Sequence, residues 1–471
     1  MPRQAESPPV ATAERTGTPS RTLLIGLSLG YFMVLLDLTI VAVALPAIGR
    51  GLHTGLSGLQ WVSSGYTLTF ACLLLTAGWL ADRVGGRRVF LCGLAAFGVL
   101  SGVSAAATSL SFLVVLRLAL GAAGALLLPS SLAVITRACT DPAQRARAIG
   151  SWAAITGVAL AAGPVAGGIL TGTVGWRAIF LVNVPLALIS LIITARLAPE
   201  TPRRQRGRLD LTGQVSAIVA LAALVYALIE GPNDGWGTGW ILGAFALAVI
   251  SAAVFVFAET REGDAAMLPP RMFRSGGFSA ALMAGLLANF GLSGLLFVLS
   301  LFFQEARGYS VIITGLVFLP LTVPTAINPV FTGRLVGRIG PRRPATIGFI
   351  LMGLGALIQA PLTGNSGLAL AATVIGLLVF GTGVSFALPA LVAGVASTVP
   401  SELAGIGVGA LNSARQVGAV LGVAVLGVIV NLASSTADGT RLALIVSAVT
   451  LLAGAVIAAV GLPGHAGGRR S

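Results

Sequence analysis

The sequence has no lysine, and all 29 of its basic residues are arginine. A Walker A loop holds phosphate with a lysine, and Schiff-base chemistry, including that of pyridoxal, needs a lysine amine. Nucleotide-driven pumping by this chain and both cofactor classes are therefore excluded. Histidine is nearly as scarce: the two residues, His53 and His465, fall in a short loop and in the C-terminal tail. No histidine relay or histidine metal site is left for the apolar segments. The three cysteines, Cys72, Cys92 and Cys139, lie in apolar runs or near a helix end. There the role of a small packed hydrophobe outweighs a disulfide or a metal site. Charge of either sign is sparse as well. Only 9% of the 471 residues are charged and 56% are hydrophobic, whereas a soluble domain carries roughly 25% charged residues. Such a chain has no surface fit for water.

What it has instead is glycine and long apolar runs. The 62 glycines suit helices that pack backbone to backbone in lipid, although each would destabilise a soluble helix. A run of about 20 apolar residues crosses a ~30 Å hydrocarbon core. Fourteen such runs occur, over 23–48, 59–81, 89–107, 112–135, 147–171, 176–195, 211–230, 238–258, 277–303, 311–333, 345–361, 367–398, 403–431 and 442–462. The expected fold is an all-α membrane protein with 14 transmembrane helices. The net charge of +14 does not point to nucleic acid, because the arginines are sorted by loop rather than clustered on one stripe. With a cytoplasmic N-terminus, 23 arginines fall in inner segments and four, Arg50, Arg177, Arg307 and Arg441, in outer loops. The positive-inside rule then sets both termini in the cytoplasm. Residues 1–21, rich in Pro, Ser, Thr and Ala, read as a disordered cytoplasmic arm, and 464–471 as a cytoplasmic tail.

An internal repeat organises the runs. GWLADRVGGRR at 78–88 and GRLVGRIGPRR at 333–343 agree at six of eleven positions, 255 residues apart. Gly121 and Pro129 recur as Gly381 and Pro389, 260 residues apart. Two duplicated six-helix bundles follow, over 22–196 and 277–463. The segment between them, 197–276, holds a basic loop, two inserted helices and a further cytoplasmic loop.

Parallel halves of six helices with a central site are the plan of the major facilitator superfamily, and the motifs resemble it. Gly78, Leu80, Asp82, Arg83, Gly85, Arg87 and Arg88 look like its cytoplasmic signature between helices 2 and 3. The resemblance implies that the acid latches the cytoplasmic side; the second copy has Gly337 there, which leaves the latch to Asp82 alone. Gly157 to Gly168 reads GVALAAGPVAGG. Pro164 cannot donate to the carbonyl four residues back and bends the helix, while Gly163 and Gly167 offer a groove for close packing. The whole string, including Gly168, resembles the antiporter signature of drug exporters, which implies export rather than uptake. WRAIFLVNVP at 176–185, ALIEGP at 227–232 and LNSARQVGAVLG at 411–422 are similar to the fourteen-helix drug:proton antiporters, most of all those of the methylenomycin-resistance kind. Leu120 departs from them, since relatives usually have Gln there.

Charges inside a membrane persist only for a reason. Asp37 is ~22 Å from the inner surface at 1.5 Å per residue, and Arg117, entering from the other side, is at the same depth. In the facilitator plan helices 1 and 4 both line the cavity. Burial favours the neutral acid and Arg117 favours the carboxylate, so a change in access can switch a proton at Asp37; a permanent structural ion pair is the plain alternative. Arg415 lies near the midplane, and Asn412, Arg415, Gln416 and Ala419 share one helix face, ready to meet a substrate or to bond neighbouring helices. Asn289 and Asn328 are weaker cavity candidates, while Glu230 and Glu305 fall at outer helix ends. The resulting expectation is a plasma-membrane antiporter, not an enzyme. It would export small lipophilic drugs or antibiotics by alternating access, as a monomer, without cofactor, driven by the proton gradient. An uptake symporter, an exporter of an endogenous metabolite and a non-transporting sensor are the rivals. One acid facing two arginines makes the cavity neutral to positive, so neutral or weakly acidic substrates are expected and dications are not.

Overall fold

The computed structural model describes residues 20–139, 141–201, 210–263, 266–360, 367–400 and 403–464. The expected arm and tail lie outside them, apart from Ser20, Arg21 and Gly464, and so do Arg203, Arg204, Arg206 and Arg208 of the basic loop. The described residues form α-helices and no strand. The first group comprises α1 (Arg21–Leu52), α2 (Leu56–Val84), α3 (Gly86–Ala105), α4 (Leu110–Ala138), α5 (Pro142–Thr173), α6 (Ala178–Leu181) and α7 (Asn183–Leu197). Next come α8 (Leu211–Asp234) and α9 (Gly239–Glu262). The last group is α10 (Gly276–Leu301), prolonged by a π-helical turn over Phe302–Ala306, then α11 (Val311–Val317), α12 (Leu319–Ile327), α13 (Pro329–Ile339), α14 (Arg342–Gln359), α15 (Gly367–Thr398), α16 (Ala404–Leu432) and α17 (Thr436–Gly461). Several helices start on a side-chain oxygen that accepts the backbone N–H three residues on: Ser20, Ser109, Asp141, Asp210, Ser310 and Ser435.

Among the described residues, twelve segments are long and apolar enough to cross a membrane: α1 to α5, the continuous α6–α7, α8, α9, α10 with its π turn, α15, α16 and α17. The predicted runs at 311–333 and 345–361 are not among them. The first is broken into α11, α12 and α13, because Pro320 and Pro329 stand at the first turns of new helices, where a missing N–H and a fixed φ start a helix instead of continuing one. The second coincides with α14, whose 18 residues begin with Arg342 and Arg343 and so dilute its apolar character.

The repeat seen in the sequence has a physical counterpart in backbone contacts. Gly85 and Gly340 both turn the chain with positive φ, 106° and 78°, a conformation that only glycine enters freely. A Cβ on Gly121 of α4 would run into the Tyr66 carbonyl of α2, and one on Gly381 of α15 into the Leu321 carbonyl of α12. On α5, Gly163 and Gly167 press against Thr39 and Ile40 of α1. The same pair recurs 255 positions later as Gly418 and Gly422 of α16, which press against the Leu286 and Phe290 carbonyls of α10. The α5–α16 correspondence escaped the sequence reading because the residues around the glycines differ.

The inserted pair is not idle. Gln214 of α8 donates to the Cys72 carbonyl at 2.8 Å and accepts from Thr76, while Trp61 of α2 donates to Glu230 at 2.6 Å. Val225 and Ile229 pack with Leu68, Ala71, Val420 and Ala424, so α8 covers the seam between α2 and α16. Helix α9 rests on α8 and leaves Leu242, Leu247, Val249, Ile250 and Val256 exposed, as a lipid-facing wall requires. Two buried acids, Asp210 at the start of α8 and Glu259 near the end of α9, both lie beside Gly213 of α8. The Leu268 N–H donates to Glu259 at 2.9 Å, tying the following loop to the end of α9.

These contacts predict opposite outcomes for two similar substitutions. Gly121→Ala should destabilise the protein by about 3 kcal/mol, because its methyl group meets backbone that cannot give. Gly157→Ala should stay within about 0.5 kcal/mol of the parent, because a Cβ there meets nothing within 4 Å. Thermal unfolding of the purified variants in detergent checks both.

Candidate functional site

Asp37 and Arg117, on α1 and α4, come together as the sequence depth argument expected. Arg117 is 1% exposed and Asp37 fully buried. Arg117 donates through Nη1 to Asp37 Oδ2 and through Nε to the Val62 carbonyl at 2.9 Å, and its guanidinium lies 4.6 Å from the Tyr66 ring centroid. The other Asp37 oxygen accepts from Asn183 Nδ2 at 3.4 Å, and the same amide donates to Ser101 at 3.1 Å. Tyr66 in turn donates to the Val34 carbonyl at 3.2 Å. The pair is thus held by α1, α2, α3, α4 and α7. Asn183 and Ser101 were not singled out from the sequence, although an amide inside the apolar WRAIFLVNVP string was a readable signal.

Beside this pair, a cavity of about 70 Å³ lies between α1, α2, α5, α10 and α16. Asn289, Arg415, Gln416 and Ala419 line it, together with Leu35, Leu38, Thr39 and Ala42 of α1 and Ser63, Ser64 and Thr67 of α2. Neither Asp37 nor Arg117 does, and no residue of α4 does. That corrects the expectation that both charges face the cavity. The reason is helical phase: Leu35, Leu38, Thr39 and Ala42 form an i, i+3, i+4, i+7 stripe, and Asp37 falls off it toward α4 and α7. Asn328 is also away from the cavity; it donates to Ser385 Oγ at 3.3 Å and serves as a bond between α12 and α15. Asn412 stands one turn below the lining and accepts from Arg415 Nη1 at 3.2 Å. Asn289 accepts from Arg415 Nε at 3.3 Å. Glu230 and Glu305 do not reach the cavity. A wider pocket of about 310 Å³, bounded by Arg271, Met272, Ser275, Thr398, Val399, Pro400 and Leu403, sits among loops at one end of the bundle, away from the buried charges.

The two groups of helices are bonded to each other toward the end of the bundle that carries the α1–α2 and α5–α6 loops. Gln60 of α2 donates to the Val423 and Ala424 carbonyls of α16 at 3.1 and 3.0 Å, and Gln304 donates to the Val43 carbonyl of α1 at 2.9 Å. Gly168 of α5 meets Gly315 and the Val311 carbonyl of α11, and a Cβ on Gly315 would lie 2.5 Å from the Pro164 carbonyl. The GVALAAGPVAGG string is therefore a double seam, with Gly163 and Gly167 on α1 and Pro164 and Gly168 on α11. Gly157, at its other end, packs on nothing.

At the opposite end, Arg83 lies over Trp79 with 5.0 Å to the ring centroid, and Asp82 is half-buried in the last turn of α2. Gly78 makes only ordinary contact with Pro129. Arg87 pairs with Glu200 and donates to the Ala195 carbonyl at 2.6 Å, and Arg88 is 4.0 Å from Glu200. Glu200, which the sequence reading passed over, is what anchors this turn to the end of α7.

Residues 27–423 match the Major Facilitator Superfamily. The chain is 35% identical over 454 residues to the methylenomycin A resistance protein of Streptomyces coelicolor, covering 96% of this chain and 95% of that one. To the methylenomycin A resistance protein of Bacillus subtilis it is 35% identical over 461 residues, covering 96% and 97%. The tetracenomycin C resistance and export protein of Streptomyces glaucescens is 37% identical over 418 residues, covering 88% of this chain and 76% of that one. Among solved structures, a bacterial homologue of the human lysosomal transporter Spinster, in an inward-facing and occupied conformation, superposes with a TM-score of 0.66 over 94% of this chain and 97% of that one. Its 16% identity makes that a likeness of fold.

The ion pair yields a stability test. Arg117→Met strands a buried acid without its cation, which should cost about 3–5 kcal/mol. The double variant Asp37→Asn/Arg117→Met removes the stranded charge and should recover part of that loss. A thermal-unfolding cycle over the parent, both single variants and the double variant reads the coupling.

Proposed function

The chain belongs to the major facilitator superfamily, and from that premise we propose that it is a proton-coupled antiporter exporting small lipophilic drugs or antibiotics. It is a multi-pass protein of the plasma membrane, a transporter and not an enzyme. In the proposed topology α11–α13 and α14 are spans ten and eleven, which brings the twelve long segments to fourteen, with both termini in the cytoplasm. The two six-helix halves, 22–196 and 277–463, carry matching glycine contacts, and the segment 197–276 contributes the inserted pair. The end closed by Gln60, Gln304 and the Gly168–Gly315 contact is then the outer face. Drug-sized ligands occupy roughly 300–1,000 Å³, so the cavity of about 70 Å³ is a tightened state that must widen to load.

The observation that carries the reading is the position of Asp37, two residues before Thr39, which packs against Gly163. A proton arriving at Asp37 dissolves its ion pair with Arg117 and loosens α1 where it bears on α5. The same stretch of α5 holds α11 through Pro164 and Gly168, so one protonation acts on the contact that closes the outer side. Alternating access follows when the halves rock about this seam. Asp37 takes its proton from outside and gives it up inside while substrate leaves by the shared cavity. No cofactor enters the cycle. A proton-motive force of about 150 mV supplies ~3.5 kcal/mol per proton, enough for a gradient of a few hundredfold. The resistance and export functions named for the relatives at 35–37% identity support the direction of transport.

A susceptibility panel of antibiotics and dyes in an exporter-deficient host identifies the substrates; lowered accumulation marks export, and raised accumulation marks uptake. In proteoliposomes loaded with a compound from that panel, Asp37→Asn should abolish substrate-induced proton movement while the variant remains folded and inserted. Parent-like proton fluxes in this variant would overturn the assignment.

A further inference from the structure

Arg117 and Arg415 lie far from the ends of their membrane-spanning helices, and their surroundings differ in kind. Arg117 is neutralised by Asp37 and shut away from the cavity. Arg415 lines the cavity, and the partners it has there, Asn289 and Asn412, are neutral amide oxygens. Among the described residues no carboxylate forms an ion pair with Arg415, and the cavity lining contains no Asp or Glu. Arginine does not lose its proton at any working pH, so the cavity carries a fixed positive charge that the protein leaves uncompensated. Two hydrogen bonds engage two of its five N–H donors.

The neighbouring wall adds donors. The Ser64 hydroxyl is 1% exposed, lines the cavity and has no hydrogen-bond partner. The Asn289 oxygen is taken by Arg415, which leaves its amide N–H groups for another acceptor, and Gln416 stands beside it in the lining. A half-buried cation and an unpartnered buried hydroxyl call for an acceptor-rich, negatively charged ligand, because an unmatched charge away from water is costly.

We infer that Arg415, with Ser64 and Asn289, forms an anion-recognition site in the cavity and that the exported molecule carries a carboxylate or a similarly acidic oxygen that docks there. This deepens the transport reading and rests on the central cavity being the substrate path. The site works by compensation: the substrate's anion supplies the counter-charge that the chain withholds, so the loaded cavity is neutral and the halves close over it. An apolar body follows the acidic group into the space bounded by Leu35, Leu38 and Leu292 as the cavity widens.

The test uses three acid and methyl ester pairs of increasing size, namely benzoate, 1-naphthoate and anthracene-9-carboxylate, titrated at pH 7.5 onto the purified full-length protein in detergent. Each acid is ionised at this pH, and each ester keeps the ring without the charge. The parent should bind the best acid roughly tenfold or more tighter than its ester, as a charge-assisted pair demands. Arg415→Gln should erase that ratio while leaving ester binding unchanged, and Arg415→Lys should retain part of it. Equal binding of acid and ester by the parent, or an equal loss of both in Arg415→Gln, would overturn the site and mark Arg415 as a bond between helices. If the acid preference depends on Arg415 but proteoliposomes under an imposed proton gradient move neither compound, the anion site stands and the export reading fails.

Discussion

A full charge in a bundle solvated by lipid persists only with a partner in reach, and the Asp37–Arg117 pair is where that constraint governs this protein. Its oxygens and nitrogens bond groups from four helices, with Asn183 on one side and the Val62 carbonyl on the other, and Ser101 of a fifth holds Asn183. Charge, hydrogen bonds and the Tyr66 ring together fix the register of α1 against α4 and α2. The pair is strong because water is excluded. For the same reason it is sensitive to a single proton, since protonating Asp37 removes an attraction that no solvent replaces.

That sensitivity matters because of what lies next along α1. Thr39 and Ile40 receive Gly163 and Gly167 of α5, and the next residues of α5, Pro164 and Gly168, receive Gly315 of α11. Contacts made backbone to backbone through glycine have no flexible side chain to absorb a shift, so they transmit it or break. The matching Gly418 and Gly422 on α10 give the other half the same stiffness. In the proposed cycle, two stiff halves joined by this glycine seam rock against each other, as alternating access requires. The inserted α8 and α9 add a wall over the α2–α16 seam, bonded to α2 through Gln214 and Glu230.

Charge is distributed unevenly across this machinery. The acid that answers Arg117 lies off the cavity-lining stripe of α1, and the cation at the cavity, Arg415, donates to the amide oxygens of Asn289 and Asn412. In the proposed cycle, proton chemistry and substrate recognition occupy different faces of α1, a few residues apart. Separate faces let the proton and the substrate bind without contesting one carboxylate, while α1 couples them mechanically.

Composition and periodicity by themselves determined the helical membrane class, the duplication and the pairing of Asp37 with Arg117. Each of these depends on local quantities: apolar length against bilayer thickness, repeated turn glycines, and residue count along a 1.5 Å rise. The sequence also marked Arg415, Gln416 and Asn289, since polar groups in apolar runs stand out. Only tertiary structure decided which way they point. The rotational phase of α1 turns Asp37 away from the cavity, roughly 150° from the lining stripe at 3.6 residues per turn, which no depth argument contains. It also placed Asn328 against Ser385 instead of the cavity, and broke the segment from Val311 to Ile339 where prolines restart the helix. Partners such as Asn183 for Asp37 and Glu200 for Arg87 came from distant parts of the chain, brought together by packing. Spacing along one helix fixes depth and face, but which neighbour that face meets is set by the other helices.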